Sequence, residues 1–217
     1  MAEEERSETA VIVFEGSINP AIITTRWLSA QDLISPEEAE AANVRFMDAD
    51  FSRFDVSHFR VEARRDRITV ASTKALEVYG PVQDFARGIF DVLIHTPISA
   101  VAISKVAHIA LPGNGWTQLN KQLLGPGRWD RVVTRPDVKV LTVEGFGDGG
   151  GTTIEVTIEQ SQHVRDGVYI VATERSEFPE AVEENHGARL ALRALARRWD
   201  PWLAEADGII EQIVEMS

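Results

Sequence analysis

The sequence predicts an α+β protein of two tandem β-α-β-β-β-α units that form one curved antiparallel sheet, with the long helices on one face. Three observations carry that expectation. A loose internal repeat runs at a spacing of about ninety residues: Ala10-Val11 and Ala100-Val101 each open an apolar run, and Trp27 and Trp116 follow them. Two-residue alternation recurs in both halves, where Phe59-Arg60-Val61-Glu62 answers to Ile154-Glu155-Val156-Thr157 and Ile68-Thr69-Val70-Ala71 to Tyr169-Ile170-Val171-Ala172. Each half also closes on an amphipathic helical segment. The glycine-rich run 147–151 and the turn at Gln162–Gly167 lengthen the second half.

Taken in order, residues 1–9 are acidic and polar and read as a disordered tail. Ala10–Phe14 is rich in β-branched residues and reads as a strand. Asn19-Pro20 marks a turn, and Ile18–Leu28 carries at most a helical turn. Ser35-Pro36-Glu37-Glu38 is a capping box with proline at the first helical position, so a short helix through Ala42 follows. Val44–Met47, His58–Arg64 and Ile68–Thr73 read as three strands, the last two joined by a tight hairpin. Gly80-Pro81 opens a helix whose stripe is Val82, Phe85, Ile89, Val92 and Leu93, ended by Pro97.

Ala100–Leu111 reads as a long strand, followed by a turn at Pro112-Gly113-Asn114 and a short helix over Trp116–Leu124. Three more strands are expected at Val138–Val143, Thr152–Gln160 and Val168–Thr173. A helical region from about Pro179 closes the chain, capped or kinked at Asp200-Pro201. The expected organisation is a tail (1–9), a first repeat (10–97) and a second repeat (98–217).

The order strand, helix, three strands, helix, seen twice, resembles the TATA-box-binding-protein-like fold. The resemblance lies in element order over about 200 residues and in no sequence motif. It implies two units joined into one sheet backed by the long helices. It also implies nucleic-acid binding, which the acidic chain opposes. A pair of ferredoxin-like domains is the rival architecture.

Composition narrows function more by exclusion. The chain has 217 residues, 44 % hydrophobic and 26 % charged, enough for a sizeable core. A net charge of −12 disfavours nonspecific nucleic-acid binding. The absence of cysteine removes disulfides, thiol catalysis and Cys-ligated metals, and fits a reducing cytoplasm. The longest apolar stretch, Ile98–Leu111, is interrupted by Ser99, Ser104, Lys105 and His108, so no transmembrane segment is expected.

Candidate chemistry is sparse. The histidines His58, His95, His108, His163 and His186 contain no i, i+4 metal pair. Ser104 and His108 share a strand face but lie about 13 Å apart along it, too far for a nucleophile–base pair. Glu155 and Glu159 have the same separation and read as a solvated acidic row. The glycine run lacks the Lys-Ser/Thr of a phosphate loop and reads as a hairpin turn. No catalytic residue, cofactor or metal ligand is assigned.

The open sheet face is the expected binding surface. His58, Arg60 and Arg64 point to it from the first half, and Glu155 and Glu159 from the second. Arg60 and Arg64 either pair with Glu155 or with their own neighbours. The small residues Ala100, Ala102 and Ser104 leave a trough beside His108. Trp202 is either an exposed anchor or part of a buried hinge with Trp199. The expected protein is therefore a cytoplasmic, non-catalytic binding or assembly module that docks a protein partner or a second copy, without a membrane or nucleic-acid partner. The alternative is a small-molecule-binding protein or enzyme with its site near Ser104, Lys105 and His108.

Overall fold

The computed structural model describes residues 6–73, 79–125, 127, 129, 131–147, 151–178 and 187–217. His186, the expected helix start near Pro179 and the middle of the glycine run lie outside them. Among the described residues, nine strands form one antiparallel sheet. In chain order these are β1 (Arg6–Gly16), β2 (Asn43–Met47), β3 (Phe51–Val56), β4 (Phe59–Arg64), β5 (Arg67–Ser72), β6 (Ile98–Ala110), β7 (Val140–Phe146), β8 (Thr152–Gln160) and β9 (Gly167–Glu177). Their spatial order is β2-β3-β4-β5-β1-β6-β9-β8-β7, so β1 and β6 are central and β2 and β7 are edges. The sheet is open and uncurled.

The helices are α1 (Thr25–Ala30), α2 (Pro36–Ala41), α3 (Gly80–Val92), α4 (Gly115–Leu124) and α5 (Gly187–Glu215). The capping box forms as expected: Glu38 N–H donates to Ser35 Oγ at 3.1 Å, and Ser35 N–H donates to Glu38 Oε2 at 2.9 Å. The core lies between these helices and one sheet face. Ala10, Ile12 and Phe14 of β1 pack there with Val61, Ile68, Val70, Val101 and Ile103, beneath Phe85, Ile89 and Phe90 of α3 and Leu195, Trp199 and Trp202 of α5. Trp116 and Leu119 of α4 cover Ile109, Ile158 and Ile170 with Ile210 and Ile213. Alternation explains this one-sided burial, because the strands bury every second residue.

Several elements depart from the sequence expectation. β1 begins at Arg6, inside the segment read as a tail, because its first residues pair with β6 from Arg6↔Ile109 onward. The first half holds an extra strand, β3, which buries Ser52 beside Phe54 and Val56 while exposing part of Phe51. That mixed pattern hides its period. α3 ends at Val92, short of Pro97, and Val92 is 41 % exposed rather than part of the buried stripe. α5 runs unbroken through Pro201. Burial of Trp199 and Trp202 on either side holds that segment helical despite the lost N–H.

Two charge networks, each centred on a buried strand residue, fasten α5 to the sheet. Lys105 of β6, only 3 % exposed, points to the helix side, where it pairs with Asp207 of α5 and with Glu8 of β1 at 3.2 Å. Tyr79 adds its ring, 5.3 Å from the ammonium, and donates its hydroxyl to Glu8 at 3.2 Å. Glu174 of β9 pairs with Arg198 of α5.

Candidate functional site

The face away from the helices is the candidate site, and strand register defines it row by row. One row runs Glu144, Glu155, Thr173, Ser104, Val11 and continues through Ala71, Arg60 and Asp55. The next runs Phe146, Thr153, Arg175, Ala102, Val13 and continues through Thr69, Glu62 and Arg53. The centre is small and mostly apolar: Ala100 and Ala102 are buried, and Val11, Val13, Val106 and Val171 are half-buried. Ser104 and Thr173 join their hydroxyls there at 2.8 Å.

The flanks differ in charge. On the β3–β5 side, Arg53, Arg60, Arg64 and Arg67 outnumber Asp55 and Glu62. On β7 and β8 the open-face charges are Glu144, Glu155 and Glu159, and Glu144 stands directly across from Glu155. Among the described residues these three glutamates form no ion pair. Between the flanks, Arg175 donates to Glu15 at 2.7 Å and also pairs with Glu177.

Arg60 and Arg64 pair with their own neighbours. Arg60 reaches Asp55 at 2.7 Å, and this hydrogen-bonded guanidinium holds the Asp55 carboxyl below its usual range. Arg64 reaches Glu62 at 2.9 Å and lies over the Phe51 ring. Neither can reach Glu155 within one chain. Five strand spacings separate β4 from β8, roughly 24 Å. His58 is exposed in the turn before β4 rather than on the strand.

Trp202 does not belong to this face. It is fully buried in the helix layer, and its Nε1–H has no hydrogen-bond partner among the described residues. Lys105 likewise points away from Ser104 and His108, so the three do not converge.

His108 does gain neighbours, which sequence spacing could not place. Register sets it opposite Tyr169, with ring centroids 4.6 Å apart. His163, from the β8–β9 turn, stands edge-on to it at 4.6 Å. Ser161 Oγ accepts the His163 and Val164 N–H groups at 3.2 and 2.9 Å and lies 3.0 Å from His108 Nδ1. With both lone pairs occupied, Ser161 has its proton left to donate to Nδ1, which selects the Nε2–H tautomer of neutral imidazole. Burial, with His163 adding to it, holds the His108 pKa below its ordinary 6.5. Burial and the Glu159 charge raise that of Tyr169. His108, His163 and Tyr169, with Glu159, line a concavity of ≈ 300 Å³ at one end of the face.

A second concavity of ≈ 380 Å³ lies elsewhere, between the end of α3 and the loop after β1, and its walls include Ile22, Phe90 and Leu93. Among the described residues, no group of three or more His, Cys, Asp or Glu is arranged to hold a metal ion. Among the described residues, no helix is long and apolar enough to cross a membrane. In comparison with known proteins, no family model matches the chain and no curated protein matches it.

Proposed function

We propose that this chain is a non-catalytic assembly module of the cytoplasm that docks a second copy of itself through its open sheet face. The observation that carries the proposal is the placement of unlike charges in one row on opposite sides of the central β1–β6 pair. Arg60 lies on one side, and Glu155 with Glu144 lies on the other.

A twofold axis parallel to the strands, between β1 and β6, exchanges the two flanks while keeping each residue at its height. It sets Arg60 over Glu155 of the second copy and Arg67 over Glu177. It also brings Arg53 over the Phe146 ring, which is 90 % exposed. The same axis sets Asp55, already paired with Arg60, over Glu144, whereas an axis across the strands would stack each whole flank on its own like charges. The face has an apolar centre within a charged rim, as specific interfaces do. Its size, roughly 38 Å by 20 Å from strand spacing and rise, matches the ~800 Å² per partner of a standard interface.

The sheet order also supports reading the chain as a duplicated, TATA-box-binding-protein-like unit. β1 and β6 adjoin at the centre, and each half places its remaining strands outward from there. The acidic flank opposes nucleic-acid docking on the same face, since no basic stripe crosses it.

Charge reversal tests the proposal. Arg60→Glu weakens self-association roughly tenfold, because two symmetric contacts turn repulsive, and adding Glu155→Arg restores it. Unchanged association in Arg60→Glu overturns the arrangement.

A further inference from the structure

We infer that the concavity bounded by His108, His163, Tyr169 and Glu159 is a binding site for a small organic ammonium ion. Three rings line it, with His108 in the middle: its centroid lies 4.6 Å from that of Tyr169, tilted against it, and 4.6 Å from that of His163, edge-on. Aromatic faces attract cations through their quadrupole, and quaternary or methylated ammonium groups exploit this because they have few or no N–H groups to satisfy. Glu159 adds a carboxylate to the same concavity and has no ion-pair partner among the described residues. Register sets Glu159 across from Tyr169 on one side and from Val140 on the other.

The surroundings suit a cation and oppose an anion. No lysine or arginine lines the concavity. The nearby open-face charges on β7 and β8 are Glu144 and Glu155, and the whole chain carries −12. Such a field concentrates cations at a cleft. The Ser161 bond keeps His108 as a neutral ring, which a cation can approach. The volume, ≈ 300 Å³, is at the small end for ligand sites and fits a compact ion.

The site meets the dimer face at its β6 end, where the proposed axis sets Ser7 of the second copy over His108. Its row, His108–Tyr169–Glu159, lies beyond the start of β4, whose first residue is Phe59. The opposing copy therefore has no β4 residue to place over Glu159.

The test is an NMR titration of the full chain with tetramethylammonium, set against tert-butanol, its neutral counterpart in shape. The expected result is saturable shifts at Tyr169, His108 and His163 with the cation and none with the alcohol. Tyr169→Leu weakens binding by roughly tenfold or more, Tyr169→Phe retains it, and Glu159→Gln weakens it. Equal response to tert-butanol overturns the proposal, as does loss of binding in Tyr169→Phe. Shifts with zinc chloride but none with tetramethylammonium also overturn it, in favour of imidazole chelation. A peptide carrying trimethyl-lysine separates the two sources of the ligand. Tighter binding than the free ion assigns a protein-borne ammonium, and equal binding assigns a free small cation; both uphold the site.

Discussion

Glu174 of β9 and Arg198 of α5 form a bidentate ion pair, with Arg198 Nε and Nη2 donating to the carboxylate at 2.9 and 2.7 Å. The Glu174 side chain is only 2 % exposed, so water cannot replace this partner. Arg198→Ala leaves it unpaired and should cost about 3 kcal/mol of stability. An apolar pair, Glu174→Met with Arg198→Leu, should recover most of that loss, because the desolvation cost disappears with the charges. Urea unfolding of the three variants measures both effects.

Glycine tests the fit of α5 at its start. A Cβ on Gly187 would lie 2.0 Å from the Ile98 carbonyl oxygen, a backbone atom of the central strand. Gly187→Ala should therefore destabilise by about 2–3 kcal/mol through overpacking. Gly208, in the same helix, has nothing within 4 Å of that position. Gly208→Ala should stabilise by roughly 0.5–1 kcal/mol, since alanine favours helix. Thermal unfolding distinguishes the two signs.

Acid should destabilise the fold through His108. Its folded pKa is held below 6.5, first by burial and then by His163, with Glu159 and Tyr169 on the facing strands. The unfolded chain then binds the proton more readily. The stabilising contribution is present in full above 6.5 and is lost as pH falls toward the folded value. Stability of the parent should fall over that interval, and His108→Asn should flatten the curve. Chemical denaturation at several pH values reads the difference.

Much of this was legible in the residues themselves. The Ser35–Glu38 box, the α3 stripe and the alternation of Phe59–Arg64 are local signals, and each produced the expected element. The side chains Ile154, Val156 and Ile158 face the helices as alternation demands. What escaped was long-range. β3 was hidden because Ser52 points inward and Phe51 outward, against the usual sorting. Tyr169 and His163 gave no sign of joining His108, because a register sixty residues apart in sequence is invisible to spacing. Lys105 stood out as a polar intruder in an apolar row, but its partners Glu8 and Asp207 come from opposite ends of the chain. Trp202 flanks a proline, which suggested either an exposed anchor or a buried hinge between two helices; it is buried, but core packing carries one helix straight through.

The salt dependence of association should follow from the same charge rows. Arg60 and Glu155 lie on the solvated rim, so their attraction across a dimer is screened as ionic strength rises. The dimer dissociation constant should increase several-fold between low and high salt, and the Arg60→Glu, Glu155→Arg double variant should retain that dependence. Light scattering across a salt series checks it.

Sedimentation velocity of the purified chain, from low to high micromolar concentration, bears on the open face most directly. A reversible shift toward a species of twice 24.0 kDa, abolished by Arg60→Glu and restored by Glu155→Arg, is the predicted result. A single species of 24.0 kDa throughout would contradict self-docking through that face.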